Sequence, residues 1–307
     1  MRKLFKWVGI VLGGLVGLVV LALGGVLLYG EIYYNTLRNN RPLYPIQADV
    51  SPEGLERGKY LVENVMACNG ACHSPKDGSP LTGTSENLII GPIKVVFTAP
   101  NLTPDMETGL GSWSDAEIAR AIREGLDKDG KVLGIMPAFN YHDLSDRDIS
   151  AVVGYLKSLK PVKNPLPPFS ANAFGKAALV LELFLPKSLG DSITASQETP
   201  AAGTAEYGEY LAKVGGCRDC HGMDFSGGLP PGGEPGALPA ANLTPAGKMT
   251  TWTEADFITV MKTGMRPDGT RVSPEMPWLE YGKMREEDLA AIFKFLSSLP
   301  PVVSDQS

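Results

Sequence analysis

Two short segments hold nearly all of the residues that could bind or react. The 307-residue chain has four cysteines and three histidines. Cys68, Cys72 and His73 stand together in "CNGACH", and Cys217, Cys220 and His221 in "CRDCH". The second segment has the spacing Cys-x-x-Cys-His, which reads as covalent haem attachment. Two cysteines one helical turn apart face the same side of a helix, so both sulfurs can reach one edge of a porphyrin and form thioethers with its vinyl carbons. The adjacent histidine then turns its imidazole toward the iron. A disulfide, a redox dithiol and a zinc site are the rival chemistries. An exported chain could form the disulfide, but a disulfide does not require a histidine directly behind it, twice.

In "CNGACH" the cysteines are four apart instead of three. On a helix, position i+4 lies about 40° from i, and i+3 about 60° to the other side, so both still share a face. Cys72 and His73 remain adjacent. The sequence predicts that the stretch to Cys68 absorbs the added residue, with Gly70 supplying unusual backbone angles. The rival here is a disulfide on a segment that has lost its haem.

A six-coordinate iron needs a ligand opposite each histidine, and methionine sulfur is one common choice. Met136 in "GIMPAFNY" and Met276 in "PEMPWLEY" stand at matching places, each before a proline that restricts the local backbone. His142, six residues beyond Met136, is the rival ligand on the first iron, and Met284 the rival on the second. Trp113 and Trp252 read as core residues, with lining of a haem edge as the alternative.

These residues sit in an internal repeat. "NLTP" at 101 and again at 242 is followed each time by a tryptophan, a helical stretch, a glycine-containing turn, Met-Pro, and a last helix ending near "PV". Ser114 and Glu117 form the signature of a capping box, with Ile118, Ala121, Ile122 and Leu126 at helical spacing behind them. Ser145 caps a second helix carrying Ile149, Val152, Val153, Leu156 and Leu159. No run of strand alternation stands out, so the prediction is an all-α fold. Residues 161–203, Pro-rich and then apolar from Ala177 to Leu185, read as a linker with a short helix, packed between the repeats or lying on a membrane surface.

The N-terminus begins with Arg2, Lys3 and Lys6, followed by 23 uncharged residues from Trp7 to Tyr29. About 20 apolar residues cross a bilayer, and the leading positive charges place the N-terminus in the cytoplasm. A cleaved signal is the alternative, although its core is usually shorter. A buried soluble helix is the third reading. The net charge of −6 argues against a nucleic-acid partner.

Cys-x-x-Cys-His early, Met-Pro late and a closing helix make each repeat resemble a class I cytochrome c domain. Together the repeats resemble the membrane-anchored dihaem c-type cytochromes, and the Asn-Leu-Thr-Pro, Trp, Met-Pro pattern is similar to that of cytochrome subunits of periplasmic alcohol and aldehyde dehydrogenases. Those subunits usually carry three haem motifs, and this chain has two. The expected layout is an anchor or signal at 1–30, a juxtamembrane linker at 31–52, a cytochrome c domain at 53–162, a linker at 163–202 and a second cytochrome c domain at 203–307. The resemblance implies two covalently attached c-type haems, held by Cys68, Cys72, Cys217 and Cys220 and ligated by His73, Met136, His221 and Met276. It implies electron transfer, with no catalytic residues, from a periplasmic dehydrogenase or other redox protein to a respiratory acceptor. The chain would be a single-pass protein of the cytoplasmic membrane, with its haem domains in the periplasm. The alternative is a dihaem enzyme, a peroxidase or sulfur-compound oxidase. Such chemistry needs an open iron position or a reactive group, and His142 is the one histidine left to serve as a distal acid–base group.

Overall fold

The computed structural model describes residues 2–36, 41–75, 80–133, 136–181, 192–229 and 238–303. It opens with a long helix, α1 (Arg2–Thr36), whose side chains from 5 to 25 are all exposed. Its segment Phe5–Tyr33 is long and apolar enough to cross a membrane or to serve as a signal sequence.

The first repeat starts at α2 (Pro52–Tyr60), capped by Ser51, whose hydroxyl accepts from the Gly54 amide. The chain continues through one π-helical turn (Leu61–Val65) into α3 (Cys68–Ala71). Strands β1 (Thr84–Ile90) and β2 (Ile93–Ala99) follow, then α4 (Asp115–Glu124), α5 (Ala138–Tyr141) and α6 (Asp146–Ser158). Both expected caps form. Ser114 and Glu117 make a reciprocal capping box on α4, and the Ser145 hydroxyl accepts from the Asp148 amide on α6. After β3 (Ser170–Ala171) and α7 (Ala173–Val180), the second repeat runs through α8 (Ala205–Val214), α9 (Cys217–His221), a 3-10 turn (Lys248–Thr250), α10 (Glu254–Thr263), α11 (Trp278–Tyr281) and α12 (Glu286–Ser298).

In each repeat the first and last helices cross at a glycine. A Cβ on Gly58 would stand 2.0 Å from the Ala151 carbonyl oxygen, and one on Gly208 1.9 Å from that of Ala291. Only hydrogen fits at either crossing. The buried apolar residues of the two repeats form one continuous cluster, from Tyr60 and Leu61 through Val152 and Leu211 to Leu289 and Leu296.

The all-α expectation is corrected. The molecule is mostly helical, but β1, β2 and β3 form a small antiparallel sheet in that order. β1 and β2 are a hairpin closed by the two-residue turn Gly91-Pro92, with Ile90 paired to Ile93 and Gly91 at φ 55°. A two-residue hairpin turn favours glycine at such a position. The strand pattern was hidden because this hairpin stands largely outside the core. Ile89 and Ile90 are both exposed, so Leu88, Ile89 and Ile90 follow one another without alternation.

The linker helix also sits elsewhere than expected. α7 packs on α1 and β2 rather than between the repeats. The end of the apolar stretch predicted around it, residues 182–185, lies outside the described residues.

Candidate haem sites

Each histidine of the two motifs ends a short helical turn that starts after a left-handed residue. Ala67 (φ 50°) precedes Cys68, and Gly216 (φ 68°) precedes Cys217. In the second repeat Cys217–His221 is one regular α-helical turn. In the first repeat the amides of both Cys72 and His73 donate to the Cys68 carbonyl, the latter at 3.0 Å. The added residue is therefore taken up by an i to i+5, π-type turn. This corrects the role expected of Gly70, which lies in ordinary helix and has no positive φ. Gly70 serves a different need, since a Cβ there would meet the Glu280 side chain at 2.7 Å. A second extra residue separates Gly58 from Cys68 relative to Gly208 and Cys217. The π turn at Leu61–Val65 absorbs it, with the Met66 amide on the Leu61 carbonyl at 2.8 Å.

The imidazoles are held alike. His73 Nδ1 lies 2.8 Å from the Pro100 carbonyl oxygen, and His221 Nδ1 lies 2.8 Å from that of Ala241. A carbonyl can only accept, so Nδ1 carries the proton in both rings and Nε2 keeps its lone pair. This is the arrangement of a metal-bound histidine whose other nitrogen is fixed by an outer partner. Both residues are buried, at 6% and 8% exposure. Burial pushes both imidazoles below their usual pKa, which keeps the ligating form neutral.

The repeated Asn-Leu-Thr-Pro explains how those carbonyls are placed. Asn101 Nδ2 donates to the Val162 carbonyl at 2.7 Å, and its Oδ1 accepts from both the amide and the hydroxyl of Thr103. Asn242 does the same with the Val302 carbonyl and Thr244. The segment behind each histidine is thereby pinned to the chain leaving the last helix. Tyr141 and Tyr281 also act as a pair, donating to the carbonyls of Met66 and Gly215 just before the cysteine turns. Neither role was derived from the sequence. Recurrence of these residues at matching places was the signal available.

Met136 and Met276 occupy equivalent local structures. Each carbonyl accepts from the amide two residues on, Ala138 at 2.8 Å and Trp278 at 2.7 Å. The intervening prolines have φ −79°, ψ 61° and φ −78°, ψ 53°. These are inverse γ-turns, and both methionines are half-buried against the core. Of the rival ligands, Met284 is 2% exposed in the core at the place Leu144 takes in the first repeat. His142 lies at the end of α5 with Nδ1 against Asp143. Trp113 and Trp252 are partly buried against the core.

All four thiols are free. Burial pushes Cys68 and Cys217 up to about 12 and raises Cys72 and Cys220 as well. Raised values disfavour the thiolate that a redox dithiol requires. Among the described residues, no three His, Cys, Asp or Glu side chains come together as a metal cluster. Buried histidines with a fixed Nδ1 and a free Nε2, beside paired cysteines, fit c-type haem.

The two sites touch each other's repeats. Asn140, four residues past Met136, donates to Asp219 between Cys217 and Cys220 at 2.8 Å. Glu280, four residues past Met276, lies against Gly70 between Cys68 and Cys72. The short helix after each methionine thus touches the other repeat's cysteine segment.

Residues 53–156 match the family described as cytochrome c oxidase, cbb3-type, subunit III, and residues 205–300 match cytochrome c. The chain is 31% identical, over 273 residues, to the cytochrome c subunit of a quinone-dependent alcohol dehydrogenase from Gluconobacter oxydans, covering 81% of this chain and 55% of that protein. It is 24% identical to a "Diheme cytochrome c-type" protein of Cereibacter sphaeroides, over 84% of this chain and 92% of that one. The chain belongs to the dihaem c-type cytochromes. Two covalently attached c-type haems are the cofactors of this cytochrome. A further relative, at 26% identity over 85% of the chain, is the fructose dehydrogenase cytochrome subunit of Gluconobacter japonicus. The cytochrome spans just over half the length of the alcohol and fructose dehydrogenase subunits it matches.

Proposed function

We propose that this cytochrome carries electrons from a periplasmic dehydrogenase to a respiratory acceptor in the membrane. Cys68, Cys72, Cys217 and Cys220 hold the haems as thioethers. His73 and Met136 ligate one iron, and His221 and Met276 the other. The two repeats act as cytochrome c domains over residues 53–162 and 203–307. Bound haem supplies a one-electron iron couple, and methionine ligation raises its potential.

The observation that carries this reading is the hydrogen bond from Asn140 to Asp219, matched by the contact of Glu280 with Gly70. Both residues lie on the short helix that follows the methionine of one repeat and touch the cysteine segment of the other, which supports two cofactors close enough to exchange electrons. Relatives that are cytochrome subunits of alcohol and fructose dehydrogenases support a dehydrogenase as donor. The apolar helix at Phe5–Tyr33 supports an anchor in the cytoplasmic membrane, with three positive residues inside and the repeats in the periplasm.

The test is substrate-driven reduction in membranes that contain the cytochrome and its co-purifying dehydrogenase. Both haems should be reduced by the dehydrogenase substrate and reoxidised through the respiratory chain. Haems that stay oxidised with every co-purifying dehydrogenase, in a protein that turns over peroxide when purified, would replace this reading with the catalytic one. Met136→Ala tests the ligand assignment separately, since it should remove the near-infrared sulfur-to-iron band of one haem and leave that of the other.

A further inference from the structure

The outer end of α1 is covered on one face. From 5 to 25 every residue is exposed, but Val26 and Leu27 are half-buried and Gly30 and Tyr33 are buried. These four fall on one helical stripe. The cover is α7. A Cβ on Gly30 would stand 2.9 Å from the Ala177 amide nitrogen, and Lys176 Nζ holds both carboxylate oxygens of Glu31 at 2.9 Å. Three residues further along each helix, Val180 and Tyr33 belong to one small buried cluster with Leu126 and Val132. The order of these contacts makes α7 run beside α1 in the same direction. The beginning of α7 therefore lies at the level of Val26 and Leu27, within the apolar span.

The hairpin tip is tied to that same place. Asn172, the N-cap of α7, donates Nδ2 to the Pro92 carbonyl at 2.8 Å and accepts the Lys94 amide at 3.2 Å. Its own amide donates to the Lys94 carbonyl at 3.0 Å. The turn Gly91-Pro92 and the start of α7 form one unit. Besides Lys94 and Asn172, this unit leaves three large apolar side chains uncovered: Ile89 is 67% exposed, Ile90 48% and Phe174 48%. The charges nearby are placed to stay in water or be neutralised. Lys176 is paired to Glu31, and Lys94 is exposed on a stem long enough to reach the headgroups.

We propose that the β1–β2 hairpin tip and the start of α7 insert into the outer interface of the bilayer that α1 crosses, as a second membrane contact. The occupant of this apolar patch is lipid, because the unit that carries it is packed on α1 at Gly30, directly beyond the stretch of α1 that is exposed and apolar from 5 to 25. About 20 helical residues cover the hydrocarbon core, so a span that begins at Trp7 ends near Val26, the level of the tip. An anchor helix alone leaves the cytochrome free to swing about its exit point. A second contact, locked to α1 through Ala177 and the Lys176–Glu31 pair, fixes how the repeats stand on the membrane. The inference rests on the reading of α1 as a membrane anchor.

The test uses the full-length haem-loaded cytochrome in phospholipid nanodiscs with single introduced cysteines and a water-soluble maleimide. Ile90→Cys and Phe174→Cys report on the tip, Leu15→Cys on the middle of α1, and Val303→Cys, at an 85% exposed site, on open solvent. Leu15→Cys should be protected, and the two tip variants should label at least about tenfold more slowly than Val303→Cys, the factor that ~1.4 kcal/mol of membrane stabilisation gives. If Leu15→Cys is protected and the tip variants label as fast as Val303→Cys, the second contact is wrong and the anchor stands. If all four label alike, the anchor reading fails and this inference fails with it.

Discussion

Tyr60, at the end of the first helix of the first repeat, donates its phenol proton to Asp288, at the start of the last helix of the second. Its oxygen also accepts from the Arg285 amide at 3.1 Å. The second repeat returns the arrangement: Tyr210 donates to Asp148 at 2.7 Å and accepts from the Ser145 amide. The boundary between the repeats is thus built from two equivalent sets of buried bonds, related as the repeats themselves are. One difference between them concerns the carboxylates. Arg57 donates to both oxygens of Asp148, at 2.9 and 2.7 Å, whereas its counterpart Tyr207 stands in the second repeat.

That difference gives the first prediction. Tyr60→Phe takes the phenol donor from Asp288 and leaves the Arg285 amide without its acceptor, at a cost of roughly 1–3 kcal/mol. Tyr210→Phe leaves Asp148 still paired with Arg57 and costs less. Denaturant unfolding of the two variants checks the order. Equal losses, or a larger loss at Tyr210, would show that the two bonds do not carry the boundary in this way.

Ala67 holds a left-handed conformation, φ 50°, where the second repeat has Gly216 at 68°. A side chain in that region costs about 1–2 kcal/mol. Ala67→Gly removes that strain but loosens the unfolded chain, so a net gain of about 0.5–1 kcal/mol is expected. Thermal unfolding of the haem-loaded protein reads it, and a lower midpoint would contradict the assigned backbone.

Much of this layout was legible beforehand. The paired haem motifs and the caps at Ser114 and Ser145 are local patterns whose chemistry depends on neighbours in the chain. What could not be read depends on residues far apart. Gly58 and Gly208 reveal their purpose only when Ala151 and Ala291 are packed against them. The hairpin at 84–99 lacks alternation because its tip does not face the core. The π-type turn at Cys68 was misassigned to Gly70, since spacing shows that a residue is added but not which hydrogen bonds lengthen to admit it. Asn101 and Asn242 were visible as repeats, yet their work is done on carbonyls about 60 residues away.

Asn101→Ala should act on one haem site and spare the other. It removes the bonds that pin the Pro100 segment, and with it the partner of His73 Nδ1, at a buried position worth roughly 1–3 kcal/mol. The expected result is a shifted reduction potential for one haem, with Asn242→Ala shifting the other. Redox titration of both variants checks this. Equal shifts of both haems in either variant would contradict local positioning.

Partial burial works to raise the Asp146 carboxyl, but hydrogen bonds from Tyr44 and Arg123 outweigh it and hold the group below the usual carboxylate range. A depressed value in the folded state stabilises the fold above the unfolded pKa of about 3.9, and that contribution is lost as pH falls through the folded value. Asp146→Asn should therefore lower stability near pH 7, by roughly 1–3 kcal/mol because Arg123 is buried, and lose less stability on acidification. Unfolding curves across the acid range test the sign. A variant whose stability falls as steeply as that of the parent would refute it.

The central claim is that two haems are bonded to this chain through its four cysteines. Intact mass spectrometry of the purified, denatured protein tests it most directly. The account predicts the polypeptide plus two haems, and one haem fewer only when a whole cysteine pair is replaced. A mass equal to the bare polypeptide, or haem that separates from the chain on denaturation, would contradict it.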